Sequence, residues 1–565
     1  MAIPGNPGSR HYPLNPFLPT TTDRDYYAQM PSGQLTIYDT TLRDGAQGEG
    51  VHFSLSDKLR LAEKLAAYGI HYVEGGWPGS NDKDREFFPE AKKLRWGACK
   101  LAAFGSTRRA GTPASSDPQV KLLLEAETPV VTIFGKSWLL HVEKVLRTTP
   151  DENLAMIRDT VSFLKKEGRE VIYDAEHFFD GHAADSDYAL RTLAAAAEAG
   201  ASYLVLCDTN GGRLPSQVAA AVREVRNRFS KNKIGIHTHN DCGLGVANAV
   251  AAVEEGALQV QGTMNGYGER TGNCNLTTVL PVLELKLGKK ILPSGHLRKL
   301  SDLSGFVDEL ANLQHDPRAP FVGRTAFAHK GGMHVNAVNK LAASFEHIEP
   351  AEVGNHQRIL VGELSGGANV MMKARELGIT LDEKAGSTRV ILAHIKKLEK
   401  EGYEFEAADA SFELLVRRSL EKLPAPFQLE SYKVEVARAR PKARETSKAT
   451  VTVRVGKKAR KTSANGDGPV NALDAALRRA LLPSFPALKK MKLIDYKVRI
   501  VNSRGGTAAR IRVLVESTDG QREWGTVGVS TNILEASAHA LIDSLSYFLL
   551  PGRNEKRVEK SSSVR

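Results

Sequence analysis

Between Gln34 and about Lys286 the chain repeats one pattern eight times: a short run rich in Val, Ile and Tyr, then a longer stretch with apolar residues three and four apart. The short runs are LTIYD near 35, HYVEGG near 71, KLAAFG near 100, PVVTIFG near 129, EVIYDAE near 170, SYLVLCDTN near 202, KIGIHTH near 233 and LQVQGTMNG near 258. Their length and β-branched content mark them as strands. Segments such as LSDKLRLAEKLAAYG, SDYALRTLAAAAEAG and PSQVAAAVREVRNRF read as the intervening helices, with Ser54 and Ser186 at starts and Gly69, Gly168, Gly200 and Gly256 at ends. Eight such β–α units in roughly 250 residues predict a closed parallel (β/α)8 TIM barrel over 34–289. An open doubly wound sheet is the alternative, but no Gly-x-Gly-x-x-Gly turn follows the first strand.

At 565 residues the chain is too long for one core. Residues 290–427 read as mainly helical linker subdomains, with apolar faces in KLSDLSGFVDELANL and GSTRVILAHIKKLEKEG. Residues 428–550 alternate strands with two helices, Val470 to Leu482 and Ile533 to Phe548, and form a separate α+β module. Residues 1–33 read as a flexible arm and 551–565 as a loose tail.

The formal charge of +12 invites a nucleic-acid reading, but the excess is local. Between Lys433 and Lys461 eleven basic residues face Glu435 and Glu445, alternating with Val and Ala as on the wet face of a β-hairpin. Aromatics for base stacking are missing there beyond Tyr432, so nucleic acid is not an expected partner and a nucleic-acid-binding protein using 433–461 stands only as the alternative of another class. No apolar run is long enough to cross a bilayer, so a membrane is not an expected partner either. Cys99, Cys207, Cys242 and Cys274 form no Cys-x-x-Cys pair, which argues against a disulfide framework and fits the cytoplasm.

In a barrel of this kind chemistry gathers where strands end and the following loops begin. Strand one runs into Asp39, Arg43, Asp44 and Gln47; strand five ends at Glu176 and His177; strand six gives Thr209; strand seven His237 and His239; and strand eight leads to Glu269, Arg270 and Asn273. Two residues apart on a strand, His237 and His239 face the same way. With Asp44 they offer two imidazoles and a carboxylate, a donor set for Zn2+, Mn2+, Co2+ or Mg2+ that leaves open positions, and Asn273 can add an amide oxygen. Arg43 beside such an ion suits a small chelating anion, for example a 2-oxo acid, and hence carbon–carbon bond formation or cleavage at a ketone.

The combination of DTTLRDG, HTHND and NGYGERTGNCNL resembles the DRE-TIM metallolyase superfamily, specifically its acyl-CoA condensing enzymes. AFAHKGGMHVNAVNK and VGELSGGANV are similar to that family's following segments, and GDGPVNALDAALRRAL and GVSTNILEASAHALIDSL to its regulatory domain. The resemblance implies that Asp44, His237 and His239 hold a divalent metal, with Asn273 supplementary. Arg43 would sit on the ketone oxygen, Thr209 on the oxo-acid carboxylate and Glu176 in the acceptor pocket. His334 would serve acid–base chemistry near the thioester. VEGGWPGSNDKD points within the family to pyruvate as acceptor: a Claisen condensation with acetyl-CoA and thioester hydrolysis, giving (R)-citramalate and CoA toward isoleucine. The alternative acceptor is 2-oxoisovalerate, leading to leucine. The resemblance also implies a homodimer and isoleucine as feedback effector. Departures from the family pattern are Gly331 in place of Ser, Asn336-Ala337 in place of Asp-Gly, and Ser365-Gly366-Gly367 in place of Ser-Gly-Arg; they bear on CoA contacts more than on the metal donors.

Overall fold

The computed structural model describes residues 34–360, 367–379, 381, 386–421, 424–438, 445–501, 506 and 508–550. The arm expected over 1–33, the tail over 551–565 and the departures at Ser365 and Gly366 lie outside the described residues.

Eight strands close into one parallel barrel: β1 Thr36–Asp39, β2 Tyr72–Gly76, β3 Lys100–Ser106, β4 Val130–Lys136, β5 Glu170–Glu176, β6 Tyr203–Asp208, β7 Lys233–Thr238 and β8 Gln259–Gly262. The seam joins first to last, with Thr36 opposite Gln259 and Asp39 opposite Gly262. All eight strands read from the sequence are present, so the fold class is the (β/α)8 barrel. Helix Leu55–Tyr68 shows why the segments between strands are helical. Ser54 and Asp57 form a reciprocal capping box, and Leu61, Ala62 and Leu65 share one fully buried stripe. Burying each leucine side chain contributes about 2 kcal/mol, and truncating one to alanine would cost about 2–5 kcal/mol once the cavity is counted.

The barrel interior is filled by Tyr38, Tyr72, Ala102, Val130, Ile172, Tyr203, Val205 and Cys207, so the tube is a packed core with chemistry left to its rim.

The described residues divide into two compact units, one ending at Phe327 and including Glu346–Gln357, the other comprising Ala328–Phe345 and the chain from Arg358 onward. In the second unit a short parallel pair, β9 Ala328–His329 and β10 Arg358–Ile359, accompanies the helices Gly332–Lys340, Gly367–Glu376, Ser387–Lys400 and Asp409–Glu421. Two antiparallel three-stranded sheets follow, β11 Gln428–Ala437, β12 Thr446–Val455 and β13 Lys458–Gly466, then β14 Lys492–Ile500, β15 Ile511–Thr518 and β16 Glu523–Ser530. Helix Pro469–Leu481 packs on the first sheet and Ile533–Phe548 on the second, and one apolar core joins Val451, Val453, Leu473, Leu477, Val513, Val515, Leu541 and Leu545. The expected basic hairpin is β11 with β12, extended by β13; residues 439–444 of that run are outside the described residues. No helix among the described residues is long and apolar enough to cross a membrane.

Candidate active site

At the end of β1 the chain turns tightly, with the amides of Arg43, Asp44 and Gly45 all donating to Thr40 O at 2.9–3.1 Å. Asp39 secures the turn by accepting from Thr41 N and Oγ1 at 2.9 and 3.0 Å. This fold-back sets Arg43 and Asp44 at the barrel rim. His237 is the last residue but one of β7, and His239, just past the strand end and bridging to Asn273, follows on the same side.

The ligand atoms of Asp44, His237 and His239 lie within 4.8 Å of one another, and all three residues are buried. His237 Nε2 is 3.3 Å from Asp44 Oδ2 and 3.4 Å from His239 Nε2. Among the described residues this is the one cluster of its kind. Asn273 Nδ2 reaches Asp44 Oδ2 at 2.7 Å and His237 Nε2 at 3.2 Å, while its Oδ1 is buried without a hydrogen-bond partner among the described residues. Amide oxygen and nitrogen are assigned from such networks, and turning this amide over would aim an oxygen donor at the cluster. The donor chemistry and the orphaned buried oxygen fit a divalent cation. Gly268 is required here: its φ is +149°, and a Cβ there would lie 2.0 Å from Asn273 Oδ1.

An outer row orients the imidazole. His237 Nδ1 donates to Gln261 Oε1 at 2.8 Å, and Gln261 Nε2 donates to Asp174 Oδ1 at 3.0 Å, which leaves His237 Nε2 facing the cluster. Burial pushes the Asp174 carboxyl up to about 7. Burial opposes ionisation of Asp44, but Arg43 and His237 outweigh it and hold its carboxyl well below the usual range. Burial and the neighbouring His237 push His239 down to about 4, keeping it a neutral donor near pH 7. His237 moves the other way: burial would lower it, and the bond to Asp44 raises it.

Arg43 is gripped on three sides. Its Nε donates to Glu74 Oε1 at 2.5 Å, Nη1 meets Asp44 Oδ1 at 3.0 Å, and the guanidinium lies 3.6 Å above the centre of the Phe104 ring. Glu74, fully buried on β2, also accepts from Tyr38 Oη and Thr40 Oγ1, both at 2.5 Å. A cavity of about 240 Å3 opens over this set and brings together Arg43, Asp44, His237, His239, Glu176 and Thr209 with Trp77, Phe104, Phe134, Asp174 and Cys207. Glu176 is ion-paired with Lys136, and Thr209 Oγ1 accepts from His177 N at 2.9 Å with its own proton free to donate. Arg270 clamps the rim loops, donating to Asp241 at 2.8 and 3.0 Å and to Thr209 O at 2.8 Å.

His334 belongs to the second compact unit. It lies on the helix Gly332–Lys340, exposed, with its ring stacked 4.2 Å from that of Phe345. Its neighbour Met333 is likewise exposed.

Sequence reasoning passed over Glu74, Asp174, Gln261 and the aromatic wall. The signal was a polar residue alternating inward within a short barrel strand, Glu74 in YVEGG and Gln261 in QVQG.

Three family models match the chain in succession: HMGL-like over 34–307, homocitrate synthase post-HMGL domain-like over 321–403, and LeuA allosteric (dimerisation) domain over 406–549. The (R)-citramalate synthase of Aquifex aeolicus is 53% identical over 519 residues, covering 92% of this chain and 98% of that one. That of Geobacter sulfurreducens is 50% identical over 513 residues, covering 91% and 97%. The chain belongs to the (R)-citramalate synthase family. The 2-isopropylmalate synthase of Methanocaldococcus jannaschii stands further off, 30% identical over 520 residues covering 91% of this chain and 94% of that one. Set against the (R)-citramalate synthase family, the barrel, the intervening helices and the paired three-stranded sheets fall in the order of the three matched models.

Proposed function

We propose that this chain is an acyltransferase that condenses acetyl-CoA with pyruvate and hydrolyses the thioester, releasing (R)-citramalate and CoA on a route to isoleucine through 2-oxobutanoate. The observation that carries the reading is a buried Asp44–His237–His239 cluster beside a fixed guanidinium in a small cavity. Asp44, His237 and His239 would hold a divalent ion, Mn2+, Zn2+, Co2+ or Mg2+, with Asn273 as supplementary ligand. When bound, that ion supplies Lewis-acid polarisation of the acceptor ketone.

The side chains carry the rest. Thr209 donates its hydroxyl proton to the acceptor carboxylate, and Arg43 faces the ketone oxygen, where negative charge develops as the new bond forms. Its charge is preorganised by Glu74 and Phe104, so little reorganisation is needed during reaction. A base removes a methyl proton of the acetyl group; that carbon bonds to the ketone carbon, whose oxygen takes a proton. Water then attacks the thioester and CoA leaves as its thiol. Glu176, in the cavity, and His334 are the candidates for these proton transfers. We assign the module over 428–550 a role in pairing two chains and in binding isoleucine, and linkage then requires that substrate weaken isoleucine binding by the factor isoleucine weakens substrate. Four free cysteines, three of them buried, suit the cytoplasm.

The test mixes purified protein, acetyl-CoA and Mn2+ with a panel of 2-oxo acids and follows thiol release. Pyruvate is expected to be the preferred acceptor. Absence of pyruvate-dependent release removes the reading, and a preference for 2-oxoisovalerate transfers it to leucine synthesis.

A further inference from the structure

Trp77 follows the last residue of β2, and its indole meets the rings of Phe104 and Phe134 edge-on, with centroids 5.9 and 5.6 Å away. Those two rings stack on each other at 5.5 Å. The three form one apolar wall of the cavity that holds Arg43 and the carboxylate–imidazole cluster.

The backbone carrying this wall is clamped from outside the cavity. Asp84 Oδ2 accepts the Trp77 amide at 2.8 Å, and Asp84 Oδ1 is ion-paired with Lys58, whose Nζ also donates to Gly75 O at 3.2 Å. Gly76 lies between the two gripped residues at φ +153°, and a Cβ there would lie 2.6 Å from the Asp84 carboxylate. Asp84 is fixed in turn because its amide donates to the helix cap Asn81 at 2.9 Å. Lys58 is 2% exposed and Asp84 7%. A buried ion pair adds little net stability over an apolar pair of the same volume, yet it is satisfied in only one geometry. Here that geometry is the placement of Trp77.

We propose that Trp77 sets the upper size limit of the acceptor 2-oxo acid, and that the Lys58–Asp84 ion pair is the positioning pair that holds it in place. The inference rests on reading the cavity as a 2-oxo acid site. The indole and the two phenyl rings line the cavity beside Arg43, so how far the indole projects bounds the space left for the acceptor's substituent. Apolar pockets discriminate single methylenes by roughly 10–200-fold, which scales the expected effect.

The experiment measures kcat/KM for pyruvate and 2-oxoisovalerate with the full-length, metal-loaded enzyme. Trp77→Ala is expected to raise the 2-oxoisovalerate-to-pyruvate ratio by about 10–100-fold. Asp84→Asn should move the ratio in the same direction by a smaller factor while leaving the KM for acetyl-CoA unchanged. A purely structural role for the pair would lower kcat for both acceptors alike and leave the ratio where it was. If Asp84→Asn does not fold, Lys58→Met combined with Asp84→Leu keeps the volume, removes both charges and carries the same readout. A wild type inactive on pyruvate overturns the functional reading itself. An active wild type with an unchanged ratio in Trp77→Ala overturns the wall, and a shifted ratio in Trp77→Ala with none in the clamp variants overturns the clamp.

Discussion

Gln261→Met isolates the outer row behind the cluster. Methionine keeps the length and approximate volume of glutamine but can neither accept from His237 Nδ1 nor donate to Asp174 Oδ1, contacts made at 2.8 and 3.0 Å. Gln261 is 1% exposed, His237 5% and Asp174 4%, so water does not replace either bond. Leaving one buried donor unpaired costs about 1–3 kcal/mol. If that cost falls on the oriented, ligating form of His237, metal affinity drops roughly 10–100-fold, the range expected for loss of an outer partner. Asp174→Asn preserves an acceptor oxygen for Gln261 and should lose less than about 10-fold. The assay strips metal with a chelator and titrates Mn2+ by calorimetry, with circular dichroism as a check on folding. Affinities within twofold of wild type in a folded Gln261→Met protein, or a larger loss in Asp174→Asn, would refute the argument.

His237→Ala removes a donor outright, and its loss of Mn2+ affinity should exceed that of Gln261→Met, with turnover abolished and the circular dichroism spectrum retained because the packed barrel does not depend on a rim residue. Glu74→Gln strips Arg43 of one of two charge partners and should destabilise the protein by about 3 kcal/mol in urea unfolding, the low end for a broken buried pair because Asp44 remains; an unchanged midpoint would deny Glu74 that role. In metal-free protein, His239 is pushed down to about 4 from 6.5, so below pH 6.5 the unfolded chain takes up a proton that the folded chain refuses. Its share of stability is therefore intact above pH 6.5 and declines as pH falls toward 4, by on the order of 3 kcal/mol. Urea melts at pH 7 and 4.5 should show a smaller difference for His239→Gln than for wild type.

The barrel was legible because its strands are short, apolar and evenly spaced, and a parallel closed sheet leaves few other ways to bury them. His237 and His239 were legible through the strand's two-residue period, and Asp44 through the rule that rim loops carry polar groups. Glu74 was not, because a glutamate within a strand reads by default as solvent-facing, and only the closed ring shows that Tyr38, Thr40 and Arg43 surround it. Gln261 escaped for the same reason. Trp77 could be placed after a strand, but its meeting with Phe104 and Phe134 joins three successive strand ends, which no local pattern encodes. His334 was named only by resemblance, since an exposed histidine on a short helix carries no pattern of its own.

The seam of the barrel has a consequence for how the protein matures. Asp44 hangs from the first strand and the two histidines from the seventh, and β8, hydrogen-bonded to both, is the last stave between them. A nascent chain that has not yet emerged past Gly262 has all three donors but nothing to hold them together, and Asn273 comes later still. Cation capture is thus a report that the ring has shut, and an ion that binds only the finished ring draws the final strand into place by mass action.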